Sequence, residues 1–228
     1  MATNWWLRRR VLWRGARWGT IGVLTLAACG GKQAETGATP KPKPVYPANA
    51  LGTFPISGEQ VAVVPITFLF FTDTTTPPPA LADRTRALQW ADSLIGQELE
   101  ARATEVKWVL PPELRKIALR SPGVVSDPDR MGQAIMRDHE TKTTPDPLRS
   151  SLRSLAAMAG GRHVLIPASL LFSTVPDSGI KAELTMVMTD TRTGDVVYRT
   201  LAPGLGSTPE RALKAAMATV LPLEIDKK

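Results

Sequence analysis

The feature that most constrains this chain is its one cysteine, Cys29, which ends the only apolar segment of the export-signal type. That segment, residues 19–28, is too short to span a bilayer as a mature helix. The stretch before it contains no acidic residue and five arginines: Arg8, Arg9, Arg10, Arg14 and Arg17. Such a stretch followed by a short apolar run is typical of a signal that is removed after export. Because a single cysteine cannot form a disulfide within the chain, a hydrophobic core must hold the fold.

The sequence Leu26-Ala27-Ala28-Cys29 resembles the lipobox of bacterial lipoproteins. This resemblance implies cleavage between Ala28 and Cys29, a diacylglycerol on the Cys29 thiol, and a further acyl chain such as palmitate on the new amino terminus. The protein is then expected in the cell envelope, with a soluble domain facing the periplasm or the cell exterior. Gly30, in place of the aspartate that commonly retains lipoproteins in the inner membrane, favours the outer membrane.

Two other interpretations of Cys29 are an ordinary cleaved signal peptide and a buried core cysteine. The arginines leave both the Sec and the Tat export routes open, because basic segments are common to both. Whichever of these two export routes applies, residues 1–28 are interpreted as a signal peptide and not as part of the fold.

The net charge of the chain changes once the signal is set aside. Of the 28 Lys and Arg residues five precede Cys29, and none of the 21 Asp and Glu residues does, so the net charge falls from +7 to +2. A nucleic-acid-binding protein needs a concentrated basic face, and no segment after Cys29 has more than two adjacent basic residues. We therefore expect no nucleic-acid partner.

Residues 29–58 are interpreted as the lipidated cysteine and a flexible tether. The segment has few large apolar residues and five prolines: Pro40, Pro42, Pro44, Pro47 and Pro55. Proline-spaced segments favour polyproline II at about 3.1 Å per residue, so the tether reaches up to roughly 80 Å. Residues 59–228 are left as one globular domain of ordinary size.

The first part of that domain has the pattern of strand, helix and strand. Residues 59–71 are apolar, β-branched and aromatic, which predicts a buried strand. Asp83 is expected to cap the helix that follows, and a second strand is predicted at 105–110. Short helices are predicted at 113–119 and 128–138.

A longer helix is expected with Asp146 as its cap and Pro147 at its first position, and it is expected to end at Gly160. Residues 163–172 predict a strand in which Pro167 indicates an edge or a bulge. The strand at 180–189 alternates apolar and polar residues, which predicts one buried and one largely wet face.

A polar turn at 190–195 and a strand at 196–201 complete a hairpin. Thr208 is expected to cap a last helix with Pro209 at its start. The buried side chains of the hairpin and this helix are expected to pack together: Leu184, Met186, Leu213, Met217 and Val220. The element order is βαβ, three helices, βββ and α, which is an α/β (α+β) domain with one mixed sheet.

This order resembles a known group of bacterial envelope domains. The first strand Val61-Ala62-Val63-Val64-Pro65 and a hairpin around residues 189–197 before a terminal helix are similar to the periplasmic α/β domain of three families. These are the TolB amino-terminal domain, the curli-secretion lipoprotein and the penicillin-binding-protein activator lipoproteins. The resemblance implies a non-enzymatic module that binds another envelope protein or itself, and it assigns no binding residues.

The residues give no catalytic, cofactor or metal motif. His139 and His163 lie far apart and no Cys/His cluster exists, so no metal site is predicted. Asp73, expected at the end of the first strand, is the most tempting acid, although a turn-forming aspartate is the plainer interpretation. The remaining candidates are interpreted as structural. They are the acidic pairs Glu98 with Glu100 and Asp127 with Asp129, the histidine at the start of a strand, His163, and the Gly-x-Gly sequence of Gly204 and Gly206.

Two classes of function remain open from the sequence. The first is a non-enzymatic protein-binding or assembly module of the envelope, which we favour, with homo-oligomers not excluded. The second is an envelope ligand-binding or hydrolytic domain whose site residues are dispersed. A cleft with convergent polar groups and perturbed pKa values would favour the second class.

Overall fold

The structure of the protein is a computed structural model that describes residues 49–72, 75–176 and 178–223. The domain is built on one mixed sheet. The lipobox residues Ala28 and Cys29, most of the tether and Asp73 lie outside the described residues. The strands are Gln60–Val63 (β1), Leu69–Phe71 (β2), Lys107–Val109 (β3), His163–Val175 (β4), Gly179–Asp190 (β5) and Val196–Gly206 (β6). The helices are Arg84–Arg102 (α1), Pro111–Arg120 (α2), Leu148–Met158 (α3) and Pro209–Val220 (α4), and the 3₁₀ turns are Phe54–Ile56, Pro79–Leu81 and Gln133–Arg137.

The sheet order is β3-β1-β4-β5-β6, with β2 also paired to β4. Strands β1, β2 and β3 run parallel to their neighbours, whereas β4, β5 and β6 form an antiparallel meander. The predicted α/β class with a single mixed sheet is therefore confirmed.

Helices cover the two faces of the sheet unequally. The first face packs against α1 and α4 in a core that includes Leu99, Phe172 and Leu213. The second face packs against α2, α3 and the turn Gln133–Arg137 in a core that includes Val64, Leu155 and Ile166. This second core reaches only part of the way along the sheet.

The expected long first strand is two strands. β1 pairs with His163–Leu165 of β4 and β2 pairs with Leu170–Phe172, and residues 64–68 between them are not in a strand. Pro65 has no N–H to give to a ladder, and the N–H of Ile66 is donated to the Asp92 carboxylate at 2.8 Å. The proline and this side-chain acceptor together break the strand.

Two other expectations of local structure need correction. The segment 128–138 contains a 3₁₀ turn and no α-helix. Asp146 does not cap α3, because Pro147 occupies the N-cap position and no side chain makes the cap hydrogen bond. Of the edge or bulge predicted at Pro167 the bulge is confirmed, since β4 is an interior strand whose register shifts between Pro167 and Ser169.

The second face of β5 is wet over only half of its length. Thr185, Val187 and Thr189 are buried there, because the segment before α3 covers them, while Lys181 and Glu183 are half-exposed. The expectation of one largely wet face thus holds only for the first half of the strand.

Residues 49–58, which the sequence assigned to the tether, are part of the folded unit. Leu51 and Ile56 are buried, and the Leu51 N–H is donated to the Val220 carbonyl at 2.7 Å. Asn49 contacts β6, since the Tyr198 hydroxyl donates to its carbonyl at 2.7 Å. The domain therefore begins before residue 59.

The hairpin and the terminal helix form the packed unit predicted. All five side chains named for it are buried in one core, and the Thr208 hydroxyl accepts from the Arg211 N–H as the expected cap. A Cβ at Gly204 would collide with the backbone of Ala212 and Ala216. Close helix packing is thus the reason for the Gly-Leu-Gly sequence of β6.

Candidate functional site

A cluster of buried polar side chains lies where ligands usually bind in α/β sheets. The chain leaves β1 through α1 to reach β3 on one side, and it returns through α2 and α3 to β4 on the other. The carboxyl end of β1 is therefore a topological switch point. Asp92 of α1 and Arg115 of α2 meet there.

Each oxygen of the Asp92 carboxylate accepts a hydrogen bond from within the protein. Its Oδ1 accepts from the Ile66 N–H at 2.8 Å, and its Oδ2 accepts from Arg115 Nη2 at 2.9 Å. Arg115 also donates to both oxygens of Asp129, at 2.8 Å each. The side chain of Asp92 is 5% exposed, so the cluster faces inward.

Burial raises the pKa of Asp92 to about 6, against the opposing effects of the Ile66 hydrogen bond and the Arg115 charge. The hydrogen bonds to Asp129 are the main cause that raises the pKa of Arg115, and those to Asp92 add to it. A carboxyl group with such a pKa is suited to general acid or base catalysis. Here, however, both of its oxygens are already engaged.

Gln133 ties the same region together from the opposite side. Its Nε2 donates to the Pro65 carbonyl at 2.9 Å and to the Pro128 carbonyl at 2.8 Å. Its buried Oε1 has no hydrogen-bond partner among the described residues. Gln133 and Asp92 thus bind the Pro65 carbonyl and the Ile66 N–H at the strand break. The role of this cluster is to stabilise the fold.

The second feature is an uncovered half of the second sheet face, which we call the open half-face. Strand register places its side chains in three rows that run across β2, β4, β5 and β6. The first row, Ser169, Thr185 and Leu201, is the boundary with the covered half, since Ser169 and Thr185 are buried. The two open rows are Phe70, Leu171, Glu183 and Pro203, then Ser173, Lys181 and Leu205.

The open half-face is apolar at its sides and polar at its centre. Phe70 is 50% exposed and Leu205 is 55% exposed, which is high for large apolar side chains in a sheet. Between them Lys181 Nζ donates to Glu183 Oε1 at 2.9 Å, and Ser169 Oγ donates to Thr185 Oγ1 at 2.9 Å. No helix of the described chain lies over these residues.

A basic groove of about 320 Å³ borders the open half-face. Its lining includes Thr185 and Leu201 of the first row, together with Arg137, His139 and Arg199. Arg199 Nη2 donates to the Thr141 carbonyl at 2.9 Å and Nη1 donates to the Met136 carbonyl. The Arg137 guanidinium lies 4.5 Å above the Phe68 ring.

The free edge of β6 is poorly suited to pairing with another strand. Pro203 has no N–H to donate, and its carbonyl accepts from the Thr219 hydroxyl at 3.2 Å. Proline is a common means of protecting an edge strand from pairing. The sheet face, and not this edge, is the surface left for binding.

The acids and histidines weighed in the sequence do not converge. Nδ1 of His163 lies 2.9 Å from Glu59, and His139 lies near Asp138 and Glu140 on the surface. Glu98 pairs with Arg102 within α1. Asp129, interpreted as a solvated cap residue, instead binds Arg115, whereas Asp127 does accept the Asp129 N–H in a local turn.

Sequence analysis missed Asp92, Arg115 and Gln133 and found only part of the open half-face. Asp92 had a detectable signal, because a single carboxylate interrupts the apolar stripe between Ala91 and Ile95. The wet face predicted for the strand at 180–189 was a partial signal for the open half-face, whose extent depends on where the helices of the second face end.

The described residues contain no group of three or more His, Cys, Asp or Glu side chains placed to hold a metal ion. Within the same residues, no helix has the length and apolar character needed to cross a membrane.

Comparison with known proteins gives structural matches only. No protein-family model matches the chain, and no curated protein matches its sequence significantly. The NMR structure of Escherichia coli LpoB is 16% identical with a TM-score of 0.36, and the match covers 82% of this chain and 84% of LpoB. The LpoB C-terminal domain from Salmonella enterica is 14% identical with a TM-score of 0.34, covering 67% of this chain and 84% of that domain. The hypothetical protein CT253 from Chlamydia trachomatis is 16% identical with a TM-score of 0.38, and the match covers 65% of this chain and 72% of CT253.

At these TM-scores the matches carry no argument about the family or the function of this chain. They give no support to the TolB and curli-secretion branches of the group that the sequence resembles. The function is argued below from the residues of this chain.

Proposed function

We propose that this protein is a lipid-anchored module of the bacterial cell envelope that binds another envelope protein and performs no catalysis. The anchor is the lipid on Cys29, the outer membrane is its expected site, and the tether separates the domain from the bilayer. The one observation that carries the binding role is the open half-face, where large apolar side chains remain in water on an otherwise covered sheet.

Monomeric proteins rarely expose large apolar patches, so such a patch indicates an interaction surface. Antiparallel strands such as β4, β5 and β6 can leave one face in water, but that face is then normally polar. The exposed side chains of Phe70 and Leu205 depart from this pattern, so we expect a covering layer from outside the described fold. The alternative, a hydrolytic domain, has its best candidate in Asp92. Since both carboxylate oxygens of Asp92 are bound internally, that candidate is better explained as structural.

The anchor is tested by comparing Cys29→Ser with the matched control Ala34→Ser in the full chain. We expect Cys29→Ser to take up no labelled palmitate and to accumulate as an unlipidated, uncleaved precursor, while Ala34→Ser behaves as the wild type. Normal lipid labelling of Cys29→Ser would refute the anchor.

The binding role is tested on the same membranes after chemical crosslinking and solubilisation. We expect the wild-type chain to be recovered in a fixed ratio with a second envelope protein. Recovery of the chain only as an uncrosslinked monomer would contradict a binding module.

A further inference from the structure

The shape of the open half-face indicates what kind of element covers it. The other half of the same face is covered by α2, α3 and the turn Gln133–Arg137. A strand pairs with the edge of a sheet and does not lie over its face, and at the edge of β6 Pro203 lacks a donor and its carbonyl accepts from Thr219. A helix, by contrast, needs only an apolar stripe that fits between Phe70 and Leu205.

The charge of the groove that borders the open half-face indicates the sign of the charge that this helix carries. The residues that line the groove include two arginines and a histidine, and none of its described lining residues is acidic. Asp138 and Glu140 contact the ring of His139 but do not line the groove. Two backbone carbonyls hold Arg199 in position, so its guanidinium is placed before a partner arrives.

The same charges disfavour two other occupants. A second copy that used the same face in a two-fold dimer would bring an identical basic groove against the first, which is repulsive. The tether carries Lys32, Lys41 and Lys43 against one acid, Glu35, so it too has the wrong sign. An acidic segment of another protein is complementary to the groove.

We propose that the open half-face binds an acidic amphipathic helix of another envelope protein. Apolar side chains of the helix cover Phe70, Leu171 and Leu205, and its carboxylates enter the groove beside Arg137 and Arg199. This inference rests on the proposed function, since it names the surface and the partner chemistry of the same binding module.

The test is site-specific photocrosslinking with the full lipidated chain in its native membranes. A photoreactive amino acid replaces Phe70 or Leu205 on the open half-face, or Leu119 on the outer side of α2 as the control position, where the side chain is also highly exposed. The crosslinked peptide of the partner is then identified by mass spectrometry. Arg137→Glu and its conservative counterpart Arg137→Lys are compared in the same background.

We expect Phe70 and Leu205 to crosslink to one protein segment that is rich in Asp and Glu, and Leu119 not to crosslink. Arg137→Glu should lower the yield about tenfold, because it replaces a charge attraction by a repulsion, whereas Arg137→Lys should retain most of it. Arg137 is exposed, so the substitution is not expected to unfold the domain, and unchanged thermal unfolding of the variant checks this.

Each contrary result has a separate meaning. A protein crosslink at Leu119 alone would leave the binding module standing and overturn the open half-face as its surface. A crosslink from Phe70 and Leu205 to a second copy, to lipid, or to a basic segment would overturn the acidic helix, as would a yield unaffected by Arg137→Glu. Absence of protein crosslinks at all three positions would overturn both the inference and the proposed function.

Discussion

At the scale of single residues, Asp92 is a buried group whose ionisation affects the stability of the fold between acid and neutral pH. Its pKa of about 6 in the folded chain lies above the usual aspartate value of 3.8, because burial disfavours the charged form. The folded state therefore binds more protons than the unfolded state between these two pH values. Stability contributed by this group is present in acid and is lost as the pH rises through about 6.

We predict that Asp92→Asn removes this pH dependence. The free energy of unfolding of the variant, relative to the wild type, should rise between about pH 4 and pH 7 by up to about 3 kcal/mol, since one pKa unit corresponds to about 1.4 kcal/mol. Denaturant unfolding at several pH values measures the difference. Ser93→Ala, a substitution at the exposed neighbour in α1, is the control, and parallel pH curves for wild type and Asp92→Asn would show the assignment to be wrong.

At the scale of elements, the unit of β5, β6 and α4 is the part of the fold with the most direct test. Leu213 is fully buried against the sheet, while Lys214 is on the outer side of α4 and pairs with Glu210 at 2.8 Å. We predict that Leu213→Asp destabilises the domain by about 3–5 kcal/mol, because it buries a charge without a partner. Lys214→Asp should cost under about 1 kcal/mol, as is usual for exposed ion pairs.

Paired denaturant unfolding curves of these two variants provide the measurement. Small and equal effects would mean that α4 does not pack on β5 and β6 as described.

The same elements show how far sequence patterns determine this fold. The alternation of β5, the apolar stripe of α4 and its Thr208 cap were readable because each signal is local and repeats with the period of its element. The break after β1 was not, although Pro65 is visible, because the acceptor that takes the Ile66 N–H comes from Asp92 in α1. The limit of the second core was also hidden, since it depends on the placement of three separate segments against one sheet.

At the scale of the whole molecule, the unequal covering of the sheet is the property that links structure to function. One face is covered by α1 and α4, whereas the other is covered only up to the row of Ser169, Thr185 and Leu201. Asp92 and Gln133 stabilise the strand break close to that boundary from inside the fold. The surface left open follows from where the described helices of this face end.

The most direct test of the central claim, that this surface is covered in the envelope, is hydroxyl-radical labelling of the full chain in native membranes and after purification in detergent. We predict that oxidation of Phe70 and Leu205 is several-fold lower in the membranes, because a partner excludes water from them, while oxidation of Leu119 and Val124 is the same in both samples. Equal oxidation of Phe70 and Leu205 in the two samples would contradict the account.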